Sequence, residues 1–179
     1  TVTDASGAST QQTFPIRVFD LSLTPIEAGH ISQGLESVRA VKVHGNYAYI
    51  LDSHRLLIFH VGDINEPELK GSVAFAQQDC PNCYLGDPKD LFVVGEYAYV
   101  VLDHGGLQIV DISSKSSPEL LIAEDADGGS YYKTNPDSAY RCIVVAGDYA
   151  YLSGSLDTGG LWQHVLEIVN ISTPSQPSP

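Results

Sequence analysis

Positive charge is scarce in this chain: nine Lys and Arg stand against 22 Asp and Glu in 179 residues, a formal net charge of -13. A field of that sign repels phosphate backbones and anionic lipid, which excludes nucleic acid as a general partner and suits solubility and cation binding. Cysteine is scarce too, and three are too few for a disulfide scaffold or an all-cysteine, four-ligand zinc site. No apolar run approaches the ~18 residues of a membrane-spanning helix, so no membrane insertion is expected. Methionine is absent, and the first residues, T-V-T-D-A-S-G, show neither an initiator nor a signal peptide; the chain reads as processed, or as a piece of a longer one. Helix-period segments are missing as well. What remains is 43% hydrophobic, 17% charged and rich in Tyr, the composition of a folded β protein.

The order in that composition is a repeat. Residues 95–113, G-E-Y-A-Y-V-V-L-D-H-G-G-L-Q-I-V-D-I-S, form two apolar strands around a His104-Gly105-Gly106 turn, and related stretches occupy 45–61 and 147–172. Tyr47, Tyr97 and Tyr149 are equivalent, which sets periods of 50 and 52 residues. Each unit divides into four strands. Strand a is 39–43, 90–94 or 142–146; b is 47–51, 97–102 or 149–153; c is 56–61, 107–112 or 166–171. A Pro-ended link leads to d at 69–75 and 120–123. Four short strands per unit at a period near fifty predict propeller blades, whose inner strands are apolar on both faces because blades pack on each other.

Upstream, residues 1–13 read as a flexible, polar leader or linker, and strands are expected at 14–21 and 26–31. The segment I-R-V-F-D-L aligns with L-Q-I-V-D-I and so reads as an orphan strand c. The expected fold is all-β: residues 14–179 as a β-propeller of about three d-a-b-c blades plus that orphan strand. Three blades leave the ring incomplete, either as a fragment of a longer propeller or as a unit completed by association.

The units resemble the LVIVD-repeat family of bacterial and archaeal surface proteins, through G-x-Y-A-Y-V, then G-G-L-x-I-V-D-I-S, then the Pro-ended link. The second unit matches closely. The first departs at Phe59-His60-Val61 and lacks the Gly pair; the third carries an insertion at 154–163 and Asn170 in place of Asp. The resemblance covers about residues 16–177. It implies a β-propeller, an extracytoplasmic setting and a binding or scaffolding role, and it transfers no catalytic residue.

Strand direction sorts the connections. The a–b turns lie on one rim, and the long segments 76–89, 124–140 and 154–163 lie on the other, here called the top, where binding loops are expected. A cation stands at the mouth of each strand a, Arg39, Lys89 and Arg141, with Asp52 and Asp103 ending two b strands on the same rim. This is either a ring for an anionic ligand or a set of Asp-paired blade contacts, and repetition favours the contacts. Tyr84, Tyr131, Tyr132 and Trp162 are candidate partner or glycan contacts. Cys80 and Cys83 form a C-x-x-C without a redox context and are read as a loop staple, ahead of a bridge from either to Cys142. Asp125 and Asp127 stand in an acidic loop that lacks the ordered calcium series, so calcium is the one metal considered and no other cofactor is expected. Asn170 begins a glycosylation triplet. No Ser-His-Asp set can be assembled, and no residue is assigned catalysis. The leading expectation is a non-enzymatic scaffold for protein partners or self-association, in adhesion or in fibre or multimer assembly. The alternative is a ligand-binding or enzymatic propeller with an anion site at the top rim.

Overall fold

The computed structural model describes residues 2–3, 9–10, 30–31, 34–75, 86–103, 106–121 and 138–179. Every regular element among them is a strand. In the leader, β1 (Val2–Thr3) pairs antiparallel with β2 (Ser9–Thr10) in a short ladder. The expected strand at 14–21 lies outside the described residues. Of the one at 26–31, only His30 and Ile31 are described, and they are not in a strand.

Three antiparallel sheets follow the repeat. The first is β3 (Ala40–His44), β4 (Tyr47–Leu51), β5 (Arg55–His60) and β6 (Glu68–Ala74). The second is β7 (Pro88–Val94), β8 (Tyr97–Leu102), β9 (Gly106–Asp111) and β10 (Glu119–Leu121). The third has β11 (Ser138–Ala146), β12 (Tyr149–Asp157) and β13 (Trp162–Asn170). Strands within each sheet are neighbours in sequence, the up-and-down order of a propeller blade. The set of three blades is not a closed ring. In the third blade Asn170 bridges Ser178, the pairing that opens the fourth strand elsewhere as His60 with Glu68 and Asp111 with Glu119.

Local chemistry fixes the turns. Gly45, Gly95 and Gly147 have φ of 59°, 59° and 58°, as two-residue hairpins with glycine at the first central position require. The next residue of each turn accepts from the end of strand c: Val61 N–H to Asn46, Ile112 to Glu96, Ile171 to Asp148, each at 2.8 Å. Asp111 accepts from the backbone N–H of Ser113 at 2.8 Å, and Asn170 does the same for Ser172 at 2.9 Å. The turn needs only a side-chain carbonyl-type oxygen there, so Asn170 in place of Asp is an architectural residue.

The core lies between blades. Tyr49, Leu51, Leu56 and Ile58 of the first meet Leu91, Ala98, Val100 and Val110 of the second. The other face of the second, Tyr99, Val101, Leu107 and Ile109, meets Ile143, Ala150, Leu152 and Val169 of the third. Each buried Leu, Ile or Val contributes about 1.5–3 kcal/mol, so the stack rather than any single sheet carries stability. Polar contacts set the stagger. Asp90 accepts from the Ile143 N–H of the next blade at 3.1 Å, while Lys42 of the preceding blade stands 4.0 Å from it. Gly71 on β6 lies so close to the Lys115 carbonyl that a Cβ would overlap it.

Two expected top-rim loops are partly strand. Residues 88–89 open β7 and 138–140 open β11. The insertion at 154–163 is no loop at all: Gly154 to Asp157 pair with Val165 back to Trp162, lengthening the β12–β13 hairpin, with only residues 158–161 as its tip. Alternating partners across the ladder make the extension a continuation of the blade rather than a separate excursion.

Candidate functional site

The top ends of the inner strands carry a repeated device. In the second blade the register jumps from Pro88 opposite Leu102 to Asp90 opposite Val101, leaving Lys89 out of the ladder. In the third it jumps from Tyr140 opposite Gly154 to Cys142 opposite Ser153, leaving out Arg141. A bulge of this kind re-aims the extra side chain. In the third blade, glycine at 154 permits it, because a Cβ there would overlap the Ala139 carbonyl, and buried Tyr140 anchors it by donating its hydroxyl to Glu167.

The cations expected as one set diverge. Lys89 pairs with Asp103 at 2.9 Å, both largely buried. Arg39 pairs with Asp87 of the next blade at 2.9 Å, half-exposed on both sides. Arg141 is exposed and has no ion pair among the described residues. Register gives the reason. Asp103 follows Leu102, and the residue that follows Gly154, its equivalent, is Ser155. The third blade keeps the cation and has lost its carboxylate.

Asp52 is not a ligand for any of them. It is fully buried, accepts from the backbone of His54 and Arg55 at 3.0 and 3.1 Å, and pairs with the Arg55 Nε at 3.0 Å. It closes the b–c turn of the first blade, and Arg55, one residue past that turn, takes the role expected of Arg39.

Around Arg141 lies a cavity of about 510 Å³, lined by Asp103, Arg141, Gly154, Ser155, Trp162 and His164. Ser155 pairs with His164 and Asp157 with Trp162, so all four side chains share one face of the extended hairpin. Of the lining residues, Asp103, Arg141 and Trp162 were legible as candidates. His164 and Ser155 were not; the signal for Ser155 was its alignment with Asp103 once the bulge is counted. A second cavity, about 430 Å³ and apolar, sits on the outer face of the first blade among Ile31, Leu35, Val38, Val41 and Ile64.

Tyr84, Tyr131, Tyr132, Cys80, Cys83, Asp125 and Asp127 lie outside the described residues. Cys142 is exposed and free, and the alternative bridge to Cys80 or Cys83 involves residues outside the described ones. No cluster of three or more His, Cys, Asp or Glu suited to a metal occurs among the described residues.

The outer face of the third blade is the largest departure from the internal pattern. Leu166 and Ile168 are 67% and 48% exposed, whereas their equivalents Leu56, Ile58, Leu107 and Ile109 are at most 3% exposed against a following blade. Val144 and Tyr149 lie exposed beside them. On the first blade the opposite face is partly covered: Ile31 and Leu35 pack on Ala48, Ile50, Leu57 and Phe59, beside the apolar cavity.

The model of the LVIVD repeat matches residues 37–74, 85–123 and 140–178. No curated protein matches the chain. Among solved structures the chain is similar to the N-terminal domain of Nup159, at 9% identity and a TM-score of 0.37, covering 79% of this chain and 47% of that one. The chain thus spans about half the length of that domain.

Proposed function

From the premise that this chain belongs to the LVIVD-repeat family, its matched repeats spanning most of residues 37–178, we propose that it is a non-enzymatic, extracytoplasmic propeller scaffold acting by protein association. The observation that carries this reading is the outer face of the third blade. Leu166 and Ile168, with Val144 and Tyr149 exposed beside them, form a contiguous apolar surface, and the equivalents of Leu166 and Ile168 are buried between blades elsewhere in the same chain. Contiguous exposed apolar surface marks an interaction site, and the two internal copies of this face define what it fits: another sheet face. The occupant proposed is a second copy of the chain. The far face of the first blade already carries Ile31 and Leu35, so the third-blade face meets its own counterpart across a two-fold axis, burying both open surfaces at once. Such an interface would serve as the unit of multimer assembly or adhesion.

Sedimentation equilibrium of the chain tests this. A dimer that becomes monomeric in a Leu166→Asp/Ile168→Asp variant, with an unchanged far-ultraviolet spectrum, is expected. A monomer at tens of micromolar, or a dimer indifferent to the double substitution, would overturn it.

A further inference from the structure

Arg141, which has no ion pair among the described residues, points to a second site at the top end of the third blade, beyond Leu166 and Ile168. We propose that the cavity around Arg141 binds a sugar acid, a pyranose carrying a carboxylate, whose carboxylate takes the place that Asp103 fills for Lys89 one blade earlier.

Lys89 and Arg141 occupy the same bulge, and the second blade shows what the bulged cation meets: a carboxylate at 2.9 Å. Ser155 stands at the register position of that carboxylate and leaves the guanidinium unmatched among the described residues. Arginine presents a planar fork suited to two parallel hydrogen bonds to one carboxylate, which lysine cannot offer. The short serine leaves room for a ligand group where an aspartate would fill it and neutralise the cation. Asp103, across the cavity, is itself neutralised by Lys89 and does not repel an incoming anion.

The rest of the wall selects the class of ligand. Only the third blade extends its b–c hairpin, and the extension sets Trp162 and His164 on the face that holds Ser155. Trp162 is 57% exposed, an indole available to stack on the apolar face of a sugar ring. His164 and the Ser155 hydroxyl supply donors and acceptors for ring hydroxyls. A volume of about 510 Å³ is within the usual range of small-ligand pockets, about 300–1,000 Å³, and large for a simple inorganic anion. Ser155, Trp162 and His164 continue the face that carries Leu166 and Ile168, but lie beyond the part of the sheet that stacks on blades elsewhere.

Calorimetric titration of the full chain with D-galacturonate, D-galactose and acetate decides it. Galacturonate is expected to bind with a measurable Kd, at least about tenfold tighter than either other probe, since the carboxylate and the ring each contribute. Arg141→Gln should weaken it by about tenfold or more. Ser155→Asp is the sharper variant: it rebuilds the arrangement of the second blade, should pair with Arg141, and should weaken galacturonate as strongly while leaving the thermal midpoint unchanged or higher. Trp162→Ala should reduce galacturonate affinity and leave acetate alone. Absence of galacturonate binding, equal affinity for galactose, or indifference to Ser155→Asp would each overturn the assignment. The oligomeric state, read on the same samples, reports on the association face independently.

Discussion

Replacing Gln108 by leucine is expected to stabilise the chain. Gln108 lies on β9 opposite Val100, 1% exposed, and neither its amide nitrogen nor its oxygen has a hydrogen-bond partner among the described residues. The two other blades show the alternatives at this position. In the first it is Leu57, also buried. In the third it is Glu167, which accepts from the Tyr140 hydroxyl. The second blade has Pro88 where Tyr140 would stand, so the amide is buried without the donor that its equivalent enjoys. A buried amide lacking partners costs about 1–3 kcal/mol, and leucine fills a similar volume without that cost. A gain of that size corresponds to a rise in melting temperature of about 2–4 °C per kcal/mol for a chain this long. Urea unfolding followed by circular dichroism should show a higher midpoint at unchanged slope. The reverse change, Leu57→Gln, should lose about 1–3 kcal/mol. A Gln108→Leu variant less stable than the parent, with Leu57→Gln harmless, would refute the equivalence of blades on which this reasoning rests.

Gly154→Ala should destabilise by about 1–3 kcal/mol, because the added methyl meets the Ala139 carbonyl and the Tyr140 backbone; thermal unfolding measures it, and a neutral result would mean that the bulge is not held as described. The Ser113 hydroxyl, then its backbone N–H, hold the Asp111 carboxyl below its ordinary value. Its contribution to stability is therefore present above the unfolded value of about 4 and is lost as pH falls through the lower folded one. Asp111→Asn should keep the turn, as Asn170 does, while flattening the acid limb of a urea-midpoint profile; an unchanged limb would contradict this. Burial first, and Tyr97 second, raise Tyr99, and burial and Tyr47 likewise raise Tyr49. Stability from these neutral phenols is present below about pH 10 and lost as pH rises through their higher folded values. Phenolate absorbance should show a late class that ionises together with unfolding, and Tyr99→Phe should shrink that class.

The spacing of Tyr47, Tyr97 and Tyr149, the turn glycines and the near-continuous apolar strands determined by themselves the all-β class, the blade order and the rim on which variation gathers. Those features are local or periodic, and a two-residue turn or a run such as Tyr-Ala-Tyr-Val has the same consequence in every copy. Pairings between segments were decided only in three dimensions. Asp52 and Arg39 looked like partners from their rim positions, yet Arg55, three residues from Asp52, competes at lower entropic cost, and Arg39 turns to Asp87 across the blade boundary. The insertion at 154–163 carries too little apolar alternation to announce itself as strand; the ladder it extends supplies its order. Likewise Ser155 is unremarkable in a Ser- and Gly-rich stretch, and becomes informative only when the bulge sets it in register with Asp103 and leaves Arg141 without an ion pair among the described residues. Periodicity builds the blades because each strand meets its neighbour in the chain. Which charge meets which carboxylate depends on stagger between blades, and that is a property of the packed stack.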